Sequence, residues 1–167
     1  MPTSRLILAG VLAAAMVIPG CRYGFSGGGL PRSVKTVAIL PFENETASAE
    51  LPRELTDALR EAVEKRLGLR AAAEEKADAV LRGKIVQYEP DVAVAVSADR
   101  RQSTSARRRV RISLDVELVD QSTGKVIWQK TGLSGDGEYA EGGEASGRKQ
   151  AIDRIVADII EGAQSQW

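Results

Sequence analysis

The chain has 167 residues, 23 basic and 23 acidic side chains, no histidine and one cysteine. The length suits one domain, the missing histidine excludes Ser-His-Asp and Cys-His catalysis and His-ligated zinc, and a lone cysteine forbids an internal disulfide. Balanced charge gives no global attraction to nucleic acid.

The N-terminus carries one positive charge, Arg5, then a 13-residue uncharged run from Leu6 to Ile18, then Pro19-Gly20-Cys21. A charged start, a short apolar stretch and small residues before a cut describe an export signal over residues 1–20. The run is too short to span a bilayer, which takes about 20 residues. A cysteine just past the cut resembles a bacterial lipobox, whose thiol takes the lipid anchor; this implies acylation of Cys21, palmitate included. The alternative is an ordinary signal with an incidental cysteine. Residues 21–33, with glycines at 27, 28 and 29, read as a flexible tether. Those glycines follow no strand and open no helix, so they are not a dinucleotide loop, and Gly124-Lys125 leads into Val126 rather than a phosphate-loop serine or threonine. No cofactor and no metal site are expected.

Residues 34–167 read as one domain. Val34 to Phe42 predicts a strand, and Glu43 to Ala49 a polar loop. A helix follows from about Glu50 to Leu67, with Leu51, Leu55, Leu59, Ala62, Val63 and Leu67 on one face and Gly68 as a stop signal. Ala79 to Tyr88 predicts a second strand closed by Pro90, and Val92, Val94 and Val96 a third. Residues 97–106 read as a loop or hairpin tip. Arg107 to Val119 is the clearest strand: Val110, Ile112, Leu114, Val116 and Leu118 alternate with polar residues, the pattern of a sheet with one wet face. A turn at Asp120–Gly124 leads to a partner strand from Lys125 to Thr131. Residues 132–147, rich in glycine and acid, are expected to be mobile. The last helix is expected over about 147–163, with an Ile152, Ile155, Val156, Ile159, Ile160 stripe. The order predicts an α+β fold, two amphipathic helices packed on one face of a mostly antiparallel four- to five-stranded sheet. Leu55, Leu59, Ile155 and Ile159 are assigned to the core, and Trp128 to the core or a partner-facing surface.

Six arginines lie between Asp99 and Arg111: Arg100, Arg101, Arg107, Arg108, Arg109 and Arg111. Arginine grips phosphate through a planar fork of donors. Nucleic acid is disfavoured, because no aromatic side chain falls inside this segment to stack on bases. Scattered carboxylates show no paired acidic motif, so a hydrolase is the weakest reading and no catalytic residue is named.

Several segments together resemble a known family. Cys21-Arg-Tyr-Gly opens the mature chain, and Val37-Ala-Ile-Leu-Pro-Phe-Glu-Asn-Glu-Thr46 follows the tether. Then come Leu55-Thr-Asp-Ala-Leu59, Ala77-Asp-Ala-Val-Leu-Arg-Gly83, Val116-Glu-Leu-Val-Asp120 and Thr123-Gly-Lys-Val-Ile-Trp128. Their order and spacing resemble LptE, the lipopolysaccharide-assembly lipoprotein of the outer membrane. The resemblance implies a non-enzymatic, lipid-anchored subunit on the periplasmic side of that membrane. It would sit as a plug in an LptD-type β-barrel, help assemble that barrel, and deliver lipopolysaccharide to the outer leaflet. Arg22 departs from the more usual Cys-Gly start; it is also not the aspartate that signals inner-membrane retention. With lipopolysaccharide as the implied ligand, Arg100, Arg101, Arg107, Arg108 and Arg109 are the candidate contacts for its phosphates. The alternatives for these arginines are a solvated hairpin tip or pairing with barrel carboxylates. The strand–helix start and the Gly-Lys-Val-Ile-Trp hairpin also resemble outer-membrane lipoproteins that activate penicillin-binding proteins or form curli-type secretion channels, and this is the alternative function.

Overall fold

In the computed structural model of the protein, the described residues are 30–31, 33–93 and 107–165. The first strand, β1 (Thr36–Ile39), is shorter than the apolar run that contains it. Asp78 fixes its start: one carboxylate oxygen accepts from the Lys35 and Thr36 amides at 2.9 Å each and from the Thr36 hydroxyl at 2.8 Å. Those donors, led by the Lys35 amide, hold the Asp78 carboxyl below its ordinary pKa. The short β2 (Glu43–Asn44) leads into a turn in which the Asn44 side chain bonds Thr46 and Ser48. Helix α1 (Leu51–Ala62) tolerates Pro52 in its first turn, where the missing N–H has no partner to lose. A π-helical turn (Val63–Leu67) continues it to Gly68, whose φ of 65° ends the helix in the left-handed region.

The chain then returns through the two-residue β3 (Arg70–Ala71) and a 3₁₀ turn (Glu74–Lys76) to β4 (Ala79–Ala93). Strands β5 (Arg108–Asp120) and β6 (Val126–Tyr139) form a long hairpin, and α2 (Glu144–Ser165) closes the fold. The sheet order is β3-β1-β4-β5-β6, with β2 also on β4. The β4, β5 and β6 pairings are antiparallel.

Three expectations need correction. The sheet is mixed and six-stranded: β1 runs parallel to both β3 and β4, and β2 parallel to β4. The cause is the helical crossover, which brings the chain back to the end it left, so the next strand must run in the same direction. Pro90 does not end its strand; β4 runs through it at a break in register between Glu89 and Val92, where no ladder N–H is needed. Val94 and Val96, expected in a separate strand, lie outside the described residues. Residues 132–139 are not a loose segment but the second half of β6, and α2 begins at Glu144, three residues before the expected start. Gly132 (φ 65°) makes the bulge that lets β6 continue, and its amide donates to Asp115 at 2.8 Å.

Both helical stripes and one face of the sheet form a single buried cluster. Leu51, Leu55 and Leu59 of α1 meet Ile155, Ile159 and Ile160 of α2 over Val37, Leu81, Ile85 and the even-numbered β5 residues from Val110 to Leu118. Trp128 is 7% exposed and packs on Gly162 of α2. Among the described residues no α-helix covers the other face of the sheet. At one end Ala38, Ala77 and Val80 form a small apolar cluster there; along β5 the side chains on this face are polar from Arg109 to Glu117.

Candidate functional site

Alternation along β5 sends every second side chain to the helix-free face. Arg109, Arg111, Ser113, Asp115 and Glu117 therefore share that face, and register decides what each meets. On β6, Glu138 lies opposite Arg109 and Asp136 opposite Arg111. On β4, Glu89 lies opposite Arg111 and Arg82 opposite Glu117.

The result is a ladder of alternating charge. Arg107 reaches Glu138 at 3.7 Å, Glu138 reaches Arg109 at 3.2 Å, Arg109 reaches Asp136 at 3.8 Å, and Asp136 takes two hydrogen bonds from Arg111, at 2.8 and 3.3 Å. The Arg111 hydrogen bond, chiefly, holds the Asp136 carboxyl below its ordinary pKa, with Arg109 and Arg154 adding attraction; in return Asp136 raises Arg111. The Arg109 Nε atom is buried and has no acceptor among the described residues.

The five candidate arginines are thus not one patch. Arg107 and Arg109 join the ladder, and Arg111, left out of the candidate set, is its best-paired member. Arg108 points to the opposite side and pairs with Asp91 at 2.6 Å. Arg100 and Arg101 lie outside the described residues. Asp136 and Glu138 escaped sequence reasoning because their segment reads as a loop. The signal was there in Asp136-Gly-Glu138, two carboxylates with the spacing of Arg109 and Arg111.

Lower on the same face, a groove of about 590 Å³ is lined by Leu40, Pro41, Arg82, Lys84, Asp115 and Glu117, among others. Its cations are also paired, Arg82 with Glu117 at 2.6 Å and Lys84 with Glu45 at 3.0 Å. A third charged cluster serves the helical layer: Arg148 of α2 bonds Glu54 of α1 at 2.9 and 3.1 Å and Glu50 at 3.1 Å. It also lies 3.6 Å from Glu144, which accepts from the Tyr88 hydroxyl at 2.5 Å. The Glu54 bond, first of several, raises the Arg148 pKa. Among the described residues no cluster of acidic or cysteine side chains could hold a metal ion.

Residues 34–163 match the LptE lipopolysaccharide-assembly family model. The chain belongs to the LptE family. That match spans most of the chain and nearly all of the described fold. None of the curated protein sequences matches the chain significantly. Solved structures share the LptE-like architecture at low identity. The PelC dodecamer from Paraburkholderia phytofirmans is 18% identical, with a TM-score of 0.53 over 83% of this chain and 95% of that one. Protein CT253 from Chlamydia trachomatis is 12% identical, with a TM-score of 0.51 over 78% and 98%. Protein XCC0632 from Xanthomonas campestris is also 12% identical, with a TM-score of 0.50 over 79% and 86%. These likenesses establish a shared fold and nothing finer. The LptE assignment ties the chain to lipopolysaccharide assembly, and hence to the Gram-negative envelope.

Proposed function

We propose that this protein is a non-enzymatic lipoprotein subunit of the lipopolysaccharide translocon. Residues 1–20 direct export, Cys21 carries the lipid anchor on the periplasmic side of the outer membrane, and residues 21–33 tether the domain. The domain plugs an LptD-type β-barrel and supports its assembly. Arg107, Arg109 and Arg111, with Arg100 and Arg101 from the adjoining segment, contact the phosphates of lipopolysaccharide on its way to the outer leaflet. The observation that carries this reading is the family match over residues 34–163. The charge ladder supports it: arginines at regular spacing along one strand, held by partly exposed carboxylates, suit a phosphorylated ligand better than a reaction.

The test is purification of the C-terminally tagged chain from outer membranes in mild detergent, with mass spectrometry of what co-purifies. An LptD-type barrel in about equal amount is the expected result, and Cys21→Ser is expected to lose the lipid label and leave the membrane fraction. A penicillin-binding protein in place of a barrel, or a homo-oligomeric ring, would instead support the alternative. That alternative has one structural support, the fold shared with the dodecameric PelC. At that identity the likeness does not extend to assembly.

A further inference from the structure

We propose that Asp136 and Glu138 are specificity-determining residues: as tethered internal anions they occupy the arginine row, so that it accepts ligands with several closely spaced phosphates and rejects single anions. This rests on the reading of the row as a lipopolysaccharide contact.

The argument begins with spacing. Arg109 and Arg111 sit two residues apart on β5, about 7 Å between neighbours, and Arg107 directly precedes the strand. Glu138 and Asp136 have the same spacing on the next strand. Each carboxylate bridges two arginines, so the order of charges is Arg107, Glu138, Arg109, Asp136, Arg111. Glu89, opposite Arg111 from the β4 side, adds a further negative charge at that end.

A lone phosphate approaching this row must displace a carboxylate fixed to the adjacent strand, which competes at high effective concentration. The displaced carboxylate stays close by and repels the newcomer. A headgroup with several phosphates replaces both bridging carboxylates in one event, and each phosphate offers an arginine fork stronger bonding than a shared carboxylate can. The bridging side chains can yield: Asp136 is 28% and Glu138 41% exposed, so both can turn out to solvent.

The experiment titrates the full chain, purified in detergent, with lipopolysaccharide-containing vesicles, with vesicles lacking it, and with inorganic phosphate. Wild type is expected to bind the lipopolysaccharide vesicles and not inorganic phosphate. Asp136→Asn with Glu138→Gln is expected to bind those vesicles about fivefold more tightly and to gain binding of inorganic phosphate, the size expected from removing two competing, partly exposed carboxylates. Arg109→Ser with Arg111→Ser is expected to weaken vesicle binding about tenfold. If the arginine variant weakens binding while the carboxylate variant binds no better than wild type, the proposal falls and the contact reading stands. If the arginine variant binds as wild type does, the contact reading falls and takes the proposal with it. Far-UV circular dichroism checks folding. Should the double carboxylate variant unfold, Asp136→Asn alone decides, with about a twofold gain expected.

Discussion

At the scale of single residues, the arginine ladder and the Arg148 cluster differ in what surrounds them. The ladder on the open face is partly solvated, so its pairs contribute little to stability, each on the order of 0.2–1 kcal/mol. Arg148 is different. Its side chain is 15% exposed and it answers carboxylates from both helices, Glu54 on α1, Glu50 at the N-terminal cap of α1 and Glu144 on α2. Removing it leaves three acids facing one another across the helix interface. Arg148→Met keeps the aliphatic packing and loses the charge, and should lower unfolding stability by about 2 kcal/mol, between the surface and fully buried limits for such pairs. Urea denaturation measures this directly. Adding Glu54→Gln should restore part of the loss, because it relieves the repulsion that Arg148 had cancelled. A midpoint unmoved by Arg148→Met would show the cluster to be a surface ornament.

At the scale of elements, the segment hardest to read is the second half of β6, and the reason is physical. Gly135 and Gly137 look like loop residues, yet they lie where α2 presses directly on the strand. A Cβ on Gly137 would run into the Gly147 carbonyl oxygen, and one on Gly135 into the Ala151 carbonyl. Glycine here permits a close helix–strand approach, and composition alone cannot separate that use from flexibility. Gly137→Ala should therefore cost about 3 kcal/mol, since a backbone must shift to admit the methyl group. Gly124→Ala is the contrast: that glycine needs its φ of 69° but has open space around it, so about 1 kcal/mol of backbone strain is expected. Thermal or urea midpoints of the two variants should keep that order. Other elements were legible. The α1 stripe from Leu51 to Leu67, the Gly68 stop and the alternation of β5 all lie where period and punctuation put them, because each buries against a single neighbour face. Pro90 misled for the opposite reason: its effect on a strand depends on the register of the partner strand, which the local sequence does not contain. The candidate site divides in the same way. The arginine side of the ladder follows from β5 alone, whereas its carboxylate side depends on β6 being a strand as far as Tyr139.

At the scale of the whole molecule, the question is whether the parallel β1–α1–β4 unit and the long β5–β6–α2 unit can come apart. Their apolar stripes do not form two cores. Val37, Leu55 and Leu59 from the first unit share one continuous cluster with Ile112, Ile155 and Ile159 from the second. β4 and β5 are joined along nearly their full length, from Ala79↔Asp120 to Ala93↔Arg108. Arg148 fastens α1 to α2 from outside. Neither unit can open without exposing the apolar face of the other, so unfolding should be one cooperative transition. The chain offers a local probe for this. It has two tryptophans, Trp128 and Trp167. Trp128 sits at the junction of β6 with the end of α2, packed on Gly162. With Trp167→Phe, fluorescence reports that corner alone, while far-UV circular dichroism reports all helix and sheet together. The two urea curves should share one midpoint and one slope. If fluorescence moved at lower urea than circular dichroism, the β6–α2 corner would be opening by itself. The continuous core would then be two weakly coupled layers, and the arginine ladder, whose carboxylates ride on β6, would be free to disassemble without unfolding the rest.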